Sequence, residues 1–389
     1  MREQNHINRK GNKYYLLINF LIAIIIILCI YHLYLGKQIR IDEPYSGKSH
    51  YLFNQIDISA KGAVITNNYQ TAFETFAKSL NPEIEIINKG DSQKKIVLVV
   101  KNVDAENSDI DITGKAETKK LKNSLLFKLE LDKNIASRIK IFPKKENKKF
   151  TFAVIGDTRG SESPFTNKRG SYFIYKRFEK EINRIKPAFW VNLGDMVNSG
   201  HPYQYRRFKE QFKNINSPFF PVIGNHEFVN PVGEKYFKAL FGDTNYSFNY
   251  SDYHFIIIDN SKGIFTKENF KWLEKDISEN SKKQIMVFMH KPLFDPRPGE
   301  NHVMDNKQDA WHLEEILLKK RIKYVFAGHI HAYYNETRKG IKYYITAGGG
   351  AKLVSDESFY HYLLVKVDGK KVEVEVRELE PPFIFKIIN

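Results

Sequence analysis

Short apolar runs recur along the later part of the chain, at residues 152–155, 189–193, 219–223, 285–289 and 324–327. Four of them stop at a glycine and the fifth stops at His290. Runs this short, closed by turn residues, predict strands covered on both faces. Between them, residues 172–185, 203–212, 267–277 and 308–320 place apolar side chains at helical spacing. Alternating strands and helices predict an α/β layered sheet. A further strand is expected over 253–259. Beyond His331 the texture turns to strands at 342–346, 360–367 and 372–378, the last two joined by Asp368 and Gly369, a hairpin signal.

Residues 51–146 read differently. Runs of β type at 83–87, 95–100, 109–113 and 124–131 are separated by turn residues and predict a small β-sandwich, with a helix expected over 70–79. This stretch shows no chemistry of its own; a spacer is the default reading and a carbohydrate-binding module the alternative. Residues 36–50 are polar, contain Pro44 and Gly47, and read as a linker. Residues 14–35 are nearly all apolar, with Asn19 and His32 the main exceptions. A bilayer span takes about 20 such residues, and Tyr14, Tyr15, Tyr31 and Tyr34 lie where interfacial anchors belong. No small-residue cleavage pattern follows, and bulky Leu28 before Cys29 argues against a lipoprotein site. The reading is an uncleaved transmembrane signal anchor. Arg2, Arg9, Lys10 and Lys13 in the tail over 1–13 outnumber Lys37, Arg40 and Lys48 beyond the span, which places the tail in the cytoplasm and the bulk outside.

The residues at the strand ends carry the chemistry. In open α/β sheets, ligands bind at the carboxyl ends of the strands. Asp157, Asp195, Asn225, His226, Glu227, His290, His329 and His331 should therefore converge on one rim. Carboxylates, an amide and imidazoles gathered in this way are the layout of a two-metal hydrolase. Mixed oxygen and nitrogen ligands suit Mn, Fe or Zn better than calcium.

Composition narrows the remaining classes. A chain of 389 residues has room for two soluble domains beside a span. The net charge of +16 fits either affinity for anionic partners or a lysine-rich solvated surface. The lysines are scattered and lack interleaved aromatics, so the solvated surface is favoured and no nucleic-acid partner is expected. The single cysteine, Cys29, excludes an intrachain disulfide and leaves no cysteine for catalysis or zinc beyond the span.

The ordered segments Asp157-x-Arg159, Gly194-Asp195, Gly224-Asn225-His226-Glu227, His290 and Gly328-His329-x-His331 resemble the calcineurin-like metallophosphoesterase superfamily over roughly residues 150–350. The resemblance implies a two-sheet β-sandwich flanked by helices over 150–389, preceded by the small all-β domain and the membrane helix. It implies two metal ions, with Asp195 bridging, Asp157 and His331 on the first ion, and Asn225, His290 and His329 on the second. It implies attack of a metal-activated hydroxide on phosphorus, with His226 protonating the leaving oxygen and Glu227 orienting its ring. Where the superfamily usually has a second His ligand, this chain has Arg159, which stays protonated and cannot ligate. Either Arg159 grips the substrate phosphate while water fills the vacant position, or the first site is weak. Purple acid phosphatases also lack that His and carry a Tyr three residues after the bridging Asp; here Asn198 stands there. The GHIHAY segment from Gly328 and the ITAGGG segment from Ile345 resemble their bacterial relatives.

The expected function is thus a membrane-anchored, extracytoplasmic metallophosphoesterase acting on a phosphate monoester. A phosphodiesterase acting on a nucleotide, lipid or cell-envelope substrate is the second reading. A catalytically degenerate metal-binding scaffold is the third. Lys291, Arg297 and His302, in a proline-rich loop after His290, and His201 are lesser candidates for substrate contact. His254 and His312 read as structural, and Trp190, Trp272 and Trp311 as core or helix-packing residues.

Overall fold

In a computed structural model of the chain, residues 47–69, 71–159 and 171–381 are described, together with a few helical positions at 19, 20, 22 and 24–26. Among the described residues no helix is long and apolar enough to cross a membrane. The expected tail, most of the expected anchor over 14–35, and residues 36–46 of the linker lie outside them.

Ten strands build the N-terminal part: β1 (His50–Phe53), β2 (Ile56–Lys61), β3 (Ala63–Tyr69), β4 (Ala72–Ala77), β5 (Glu83–Asn88), β6 (Lys94–Lys101), β7 (Ser108–Thr113), β8 (Lys115–Lys120), β9 (Ser124–Leu131) and β10 (Ala136–Pro143). They form two five-stranded sheets, ordered β1-β2-β5-β10-β7 and β3-β4-β6-β9-β8. Ile58, Ile84, Ile86, Leu98, Phe127 and Ile139 alternate inward to fill the space between them. The helix expected over 70–79 is instead strand β4. Its apolar residues fit either period over so short a stretch, and pairing with β3 and β6 decides the outcome.

The following region holds two more sheets. The first contains β11 (Lys149–Ile155), β12 (Phe189–Asn192), β13 (Phe219–Pro221), β20 (His361–Asp368) and β21 (Lys371–Glu378), ordered β13-β12-β11-β20-β21. The second contains β14 (Tyr246–Tyr250), β15 (Tyr253–Ile257), β16 (Gln284–Met289), β17 (Tyr324–Ala327), β18 (Tyr333–Arg338) and β19 (Ile341–Thr346), ordered β14-β15-β16-β17-β19-β18. Strands β11, β12 and β13 run parallel, as do β15, β16, β17 and β19. The layer between the sheets is aromatic: Phe152 stacks on Phe189 at 4.9 Å and Phe288 on Phe326 at 5.0 Å between ring centroids. Such pairs add about 0.5–1.5 kcal/mol each to the area they bury.

Helices cover the outer faces. Helices α1 (Ser171–Ile185), α2 (Pro202–Phe212) and α3 (Gly233–Phe241) bury Phe178, Phe208 and Phe237 in one cluster with Trp190 and Phe219 of the first sheet. Helices α4 (Lys267–Glu279) and α5 (Lys307–Lys319) bury Leu273, Leu313 and Leu317 against the second. Trp190 is a core residue, but Trp311 is 67% exposed because its position on α5 faces solvent, against the packing role expected for it.

The N-terminal sandwich is fastened to this region through buried groups. Asn102 donates to Ala77 O at 2.8 Å and to Phe219 O at 2.7 Å, and accepts from Phe219 N–H at 2.7 Å. Phe76 packs edge-on against Phe241 at 5.3 Å. A cleft of about 870 Å³ lies at the seam, lined by Lys149, Phe150, Lys186 and Pro218. These residues precede or begin β11, β12 and β13, so the cleft lies at the pole opposite the strand ends named above.

Lys78 is buried at the same junction, donating to Asp243 O and lying 3.7 Å from the centre of the Tyr246 ring. Burial lowers its pKa to about 7, while Asp243 pulls it upward. Above pH 7 the folded Lys78 gives up its proton while the unfolded chain keeps one, so stability rises with pH until the ordinary lysine range is reached. Between pH 7 and 9 the native protein should gain about 2 kcal/mol relative to Lys78→Met. Urea denaturation of both at the two pH values checks this, and parallel behaviour would sink it.

Candidate active site

All eight catalytic and metal-ligand candidates come together at the carboxyl ends of β11, β12, β13, β16 and β17, across the mouth of the two sheets. Glycine allows the close approach. A Cβ on Gly194 would lie 2.6 Å from His290 Nδ1, and one on Gly224 would lie 2.3 Å from Asp195 Oδ1. Gly194 also has φ +99°. Asp157, Arg159, Asp195 and His329 themselves adopt left-handed backbone, at φ +57°, +39°, +50° and +71°. Four such residues in one site are stored strain of the kind found where geometry serves chemistry.

Each imidazole is held by its Nδ1 or faces the others. His290 Nδ1 donates to Leu193 O at 2.8 Å, His331 Nδ1 to Lys352 O at 2.6 Å, and His226 Nδ1 to Asn198 O at 2.6 Å. These bonds leave each Nε2 lone pair aimed inward. His290 Nε2 lies 2.9 Å from Asn225 Oδ1, 3.2 Å from His329 Nδ1 and 3.4 Å from Asp195 Oδ1. His331 Nε2 lies 3.2 Å from Asp157 Oδ1, a buried oxygen with no aligned hydrogen-bond donor. Ligand atoms of Asp157, Asp195 and His331 gather within 4.8 Å of one another. Carboxylate, amide and imidazole atoms crowded this closely, with Asp157 Oδ1 left without a hydrogen-bond donor, fit a cation between them. The residues present therefore suit two ions: Asp157, Asp195 and His331 around one, and Asp195, Asn225, His290 and His329 around the other.

The electrostatics differ between the groups: burial lowers His331, but the bond and charge of Asp157 and the Lys352 carbonyl outweigh it and hold the ring above the ordinary imidazole range. Burial opposes ionisation of Asp195, but His290, His226, Arg159 and the His226 N–H outweigh it and hold its carboxyl well below the usual range. Burial and the neighbouring His290 push His329 down to about 2, so its ring is neutral with a lone pair to give.

Arg159 is inside the cluster. Its Nη2 lies 2.7 Å from His226 Nε2, 3.1 Å from Asp195 Oδ2 and 3.5 Å from His331 Nε2.

Glu227 does not orient His226; the Asn198 carbonyl does that. The fully buried Glu227 carboxylate instead accepts from the N–H groups of Asp195 (3.0 Å) and Gly224 (2.7 Å) on one oxygen, and from those of Met196 (2.8 Å) and Val197 (3.1 Å) on the other. Burial and the Asp195 charge push its pKa up to about 8, and the amides pull the other way. In Glu227→Gln, either orientation of the amide sets an NH₂ against two N–H donors. We expect a loss of about 3 kcal/mol, read from the denaturation midpoint; a loss below about 1 kcal/mol would contradict the clamp.

Among the lesser candidates, Lys291 pairs with Asp305 at 3.0 Å. Arg297 is held by both oxygens of Asp295 and touches His302 Nδ1 at 2.6 Å. The His302 ring lies 6.4 Å from that of His329, on the rim of the site. His201 bonds Asn230 at 2.9 Å and is not brought into the cluster. His254 is buried between Asp276 (2.7 Å) and Asn249 (2.9 Å), and His312 packs on Phe270. Asn260, unremarked in the sequence, is fully buried, accepts from His290 N–H at 3.1 Å and donates to Lys291 O at 2.6 Å, and so fixes His290.

The model of the calcineurin-like phosphoesterase family matches residues 150–333, a span that contains every one of these candidate ligands. Residues 150–333 are a calcineurin-like phosphoesterase domain. Hydrolysis of phosphate esters is that family's chemistry. A probable cyclic nucleotide phosphodiesterase of Xenorhabdus bovienii is 26% identical over 39% of the chain and 66% of its own length. The Fe(3+)-Zn(2+) purple acid phosphatase 12 of Arabidopsis thaliana is 27% identical over 42% of the chain and 39% of its own length. The chain thus spans two thirds or less of these relatives. The solved purple acid phosphatase of yellow lupin seeds shares the fold over 77% of this chain and 70% of its own, with a TM-score of 0.52 and 14% identity.

Proposed function

We propose that the protein hydrolyses a phosphate monoester at this rim, using two metal ions of the Mn, Fe or Zn class. The observation that carries the reading is the convergence of imidazole nitrogens, carboxylate oxygens and an amide oxygen from five strand ends, with the Arg159 guanidinium beside them. When bound, the ions would supply Lewis-acid polarisation of the phosphoryl group and an activated water. The chain's own residues do the rest. His226, anchored through Nδ1, points Nε2 into the cleft beside Arg159; a ring that takes up a proton there, with the guanidinium turned to the phosphoryl group, can hand it to the leaving oxygen. Arg159 brings a fixed positive charge to the place where phosphoryl oxygens gather. Asn260 and the Leu193 carbonyl hold His290 still.

A diesterase is the second reading, favoured by the similarity to the Xenorhabdus protein. Hydrolysis of p-nitrophenyl phosphate and bis-p-nitrophenyl phosphate by the full chain, stripped of metal and given back Mn²⁺, Zn²⁺ or Fe, tests both. Faster monoester turnover supports the first reading and faster diester turnover the second. No metal-dependent turnover of either, by a folded protein, would favour the scaffold. The apolar segment over 14–35 behind a basic tail supports a membrane-anchored protein with its catalytic domain outside the cytoplasm. Fractionation with protease protection tests that part separately.

A further inference from the structure

The position that departs from the family's ligand pattern is also the one whose side chain enters the place of an ion. The Arg159 backbone is fixed on both sides: its N–H donates to Asp195 O at 3.0 Å and its carbonyl accepts from Ser171 Oγ at 3.2 Å. Its side chain is 8% exposed. Nη2 reaches Asp195 Oδ2 at 3.1 Å and His331 Nε2 at 3.5 Å, on two of the three residues that make the first cradle. An ion bonded to Asp195 Oδ2 at about 2.1 Å would therefore lie within about 5 Å of the guanidinium, in a closed site where solvent screens little. It would also compete for an oxygen that already accepts a charged hydrogen bond. The second cradle differs. Asp195 belongs to both, and Lys291 weighs on the His329 ring through space, but among the described residues no lysine or arginine is hydrogen-bonded to Asn225, His290 or His329.

We propose that Arg159 is an internal competitor for the first ion. The guanidinium and the ion exclude one another from the cradle of Asp157, Asp195 and His331. The two positions then fill in order, second before first, with unequal affinity. This rests on the phosphoesterase reading of the site, and it makes Arg159 the residue that sets how readily the binuclear state forms. It also accounts for the missing histidine ligand: the position holds a residue that opposes the ion rather than one that binds it.

The test is Mn²⁺ titration of the metal-stripped full chain, followed by calorimetry and by electron paramagnetic resonance. The native protein should take up one tight equivalent and a second at least about ten-fold weaker, and show the spectrum of an isolated ion at one equivalent. Arg159→Ala and Arg159→Gln should bring the second affinity to within about three-fold of the first and show a spin-coupled pair. Arg159→Lys, which keeps the charge, should keep much of the gap. A thermal melt on each variant separates loss of fold from loss of competition, and the Gln and Lys variants remain informative if Ala does not fold. Two equal sites in the native protein, or a gap unchanged in Ala and Gln, would overturn the proposal and leave the phosphoesterase reading standing. Failure of the native protein to bind any Mn²⁺, Zn²⁺ or Fe would remove both.

Discussion

Asp195→Asn is expected to lower kcat/KM by about 10³-fold or more and to leave the protein unable to hold two metal equivalents. The reason lies in what each carboxylate oxygen meets. Oδ1 accepts from His226 N–H at 2.9 Å and faces His290 Nε2 at 3.4 Å. Oδ2 accepts from Arg159 at 3.1 Å. Asparagine keeps the shape but turns one of the two oxygens into an NH₂. If the NH₂ takes the Oδ1 position it opposes the His226 N–H. If it takes the Oδ2 position it opposes the guanidinium. Either way one side of the site loses its acceptor, and the negative charge shared by the two cradles disappears. Metal analysis of the purified variant, with steady-state kinetics on the better p-nitrophenyl ester, reads both effects. A folded variant that retains two equivalents and turns over within ten-fold of native would show that Asp195 does not bridge.

The candidate ligands are legible because each obeys two constraints that sequence displays. A buried strand ends where its apolar run ends, and the chain there turns back through a glycine that leaves room for a neighbour. Gly194 and Gly224 illustrate this, since a side chain on either would strike His290 or Asp195. The partners that orient the rings were not legible. Leu193, Asn198 and Lys352 act through backbone carbonyls, which every residue has, and no side-chain pattern marks them. Glu227 is visible in the sequence, but its adjacency to His226 says nothing about which way a buried carboxylate points, and it turns to the backbone of the Gly194 and Gly224 loops instead. Arg159 shows the same limit. Its inability to ligate follows from its chemistry, but its entry into the first cradle follows from the local backbone and burial. In the N-terminal sandwich, the stretch around Phe73 and Phe76 satisfied a helical period, and only pairing with two neighbouring strands makes it β4.

His226→Ala should separate the reading of this site as a phosphoesterase with an acid from one without. The ring is fixed by a 2.6 Å bond from Nδ1 to Asn198 O, and its Nε2 lies 3.8 Å from Asp195 Oδ2, beside the ligands but not among them. A group placed there is suited to proton transfer rather than to holding an ion. Positioned acids contribute about 10²–10⁴ in rate, but only where the leaving group needs the proton. Loss of His226 should therefore cost about 10²-fold or more in kcat with an alkyl phosphate. It should cost far less with p-nitrophenyl phosphate, whose phenolate leaves readily as an anion. KM should change little with either, because the metal ligands remain. The native enzyme should show a shallow dependence of rate on leaving-group basicity, and the variant a steep one. If both substrates lose rate equally, His226 acts by holding the loop after β13 in place, and another donor must serve the leaving oxygen. His302, on the rim beside His329 and braced by Arg297, is then the group to replace next.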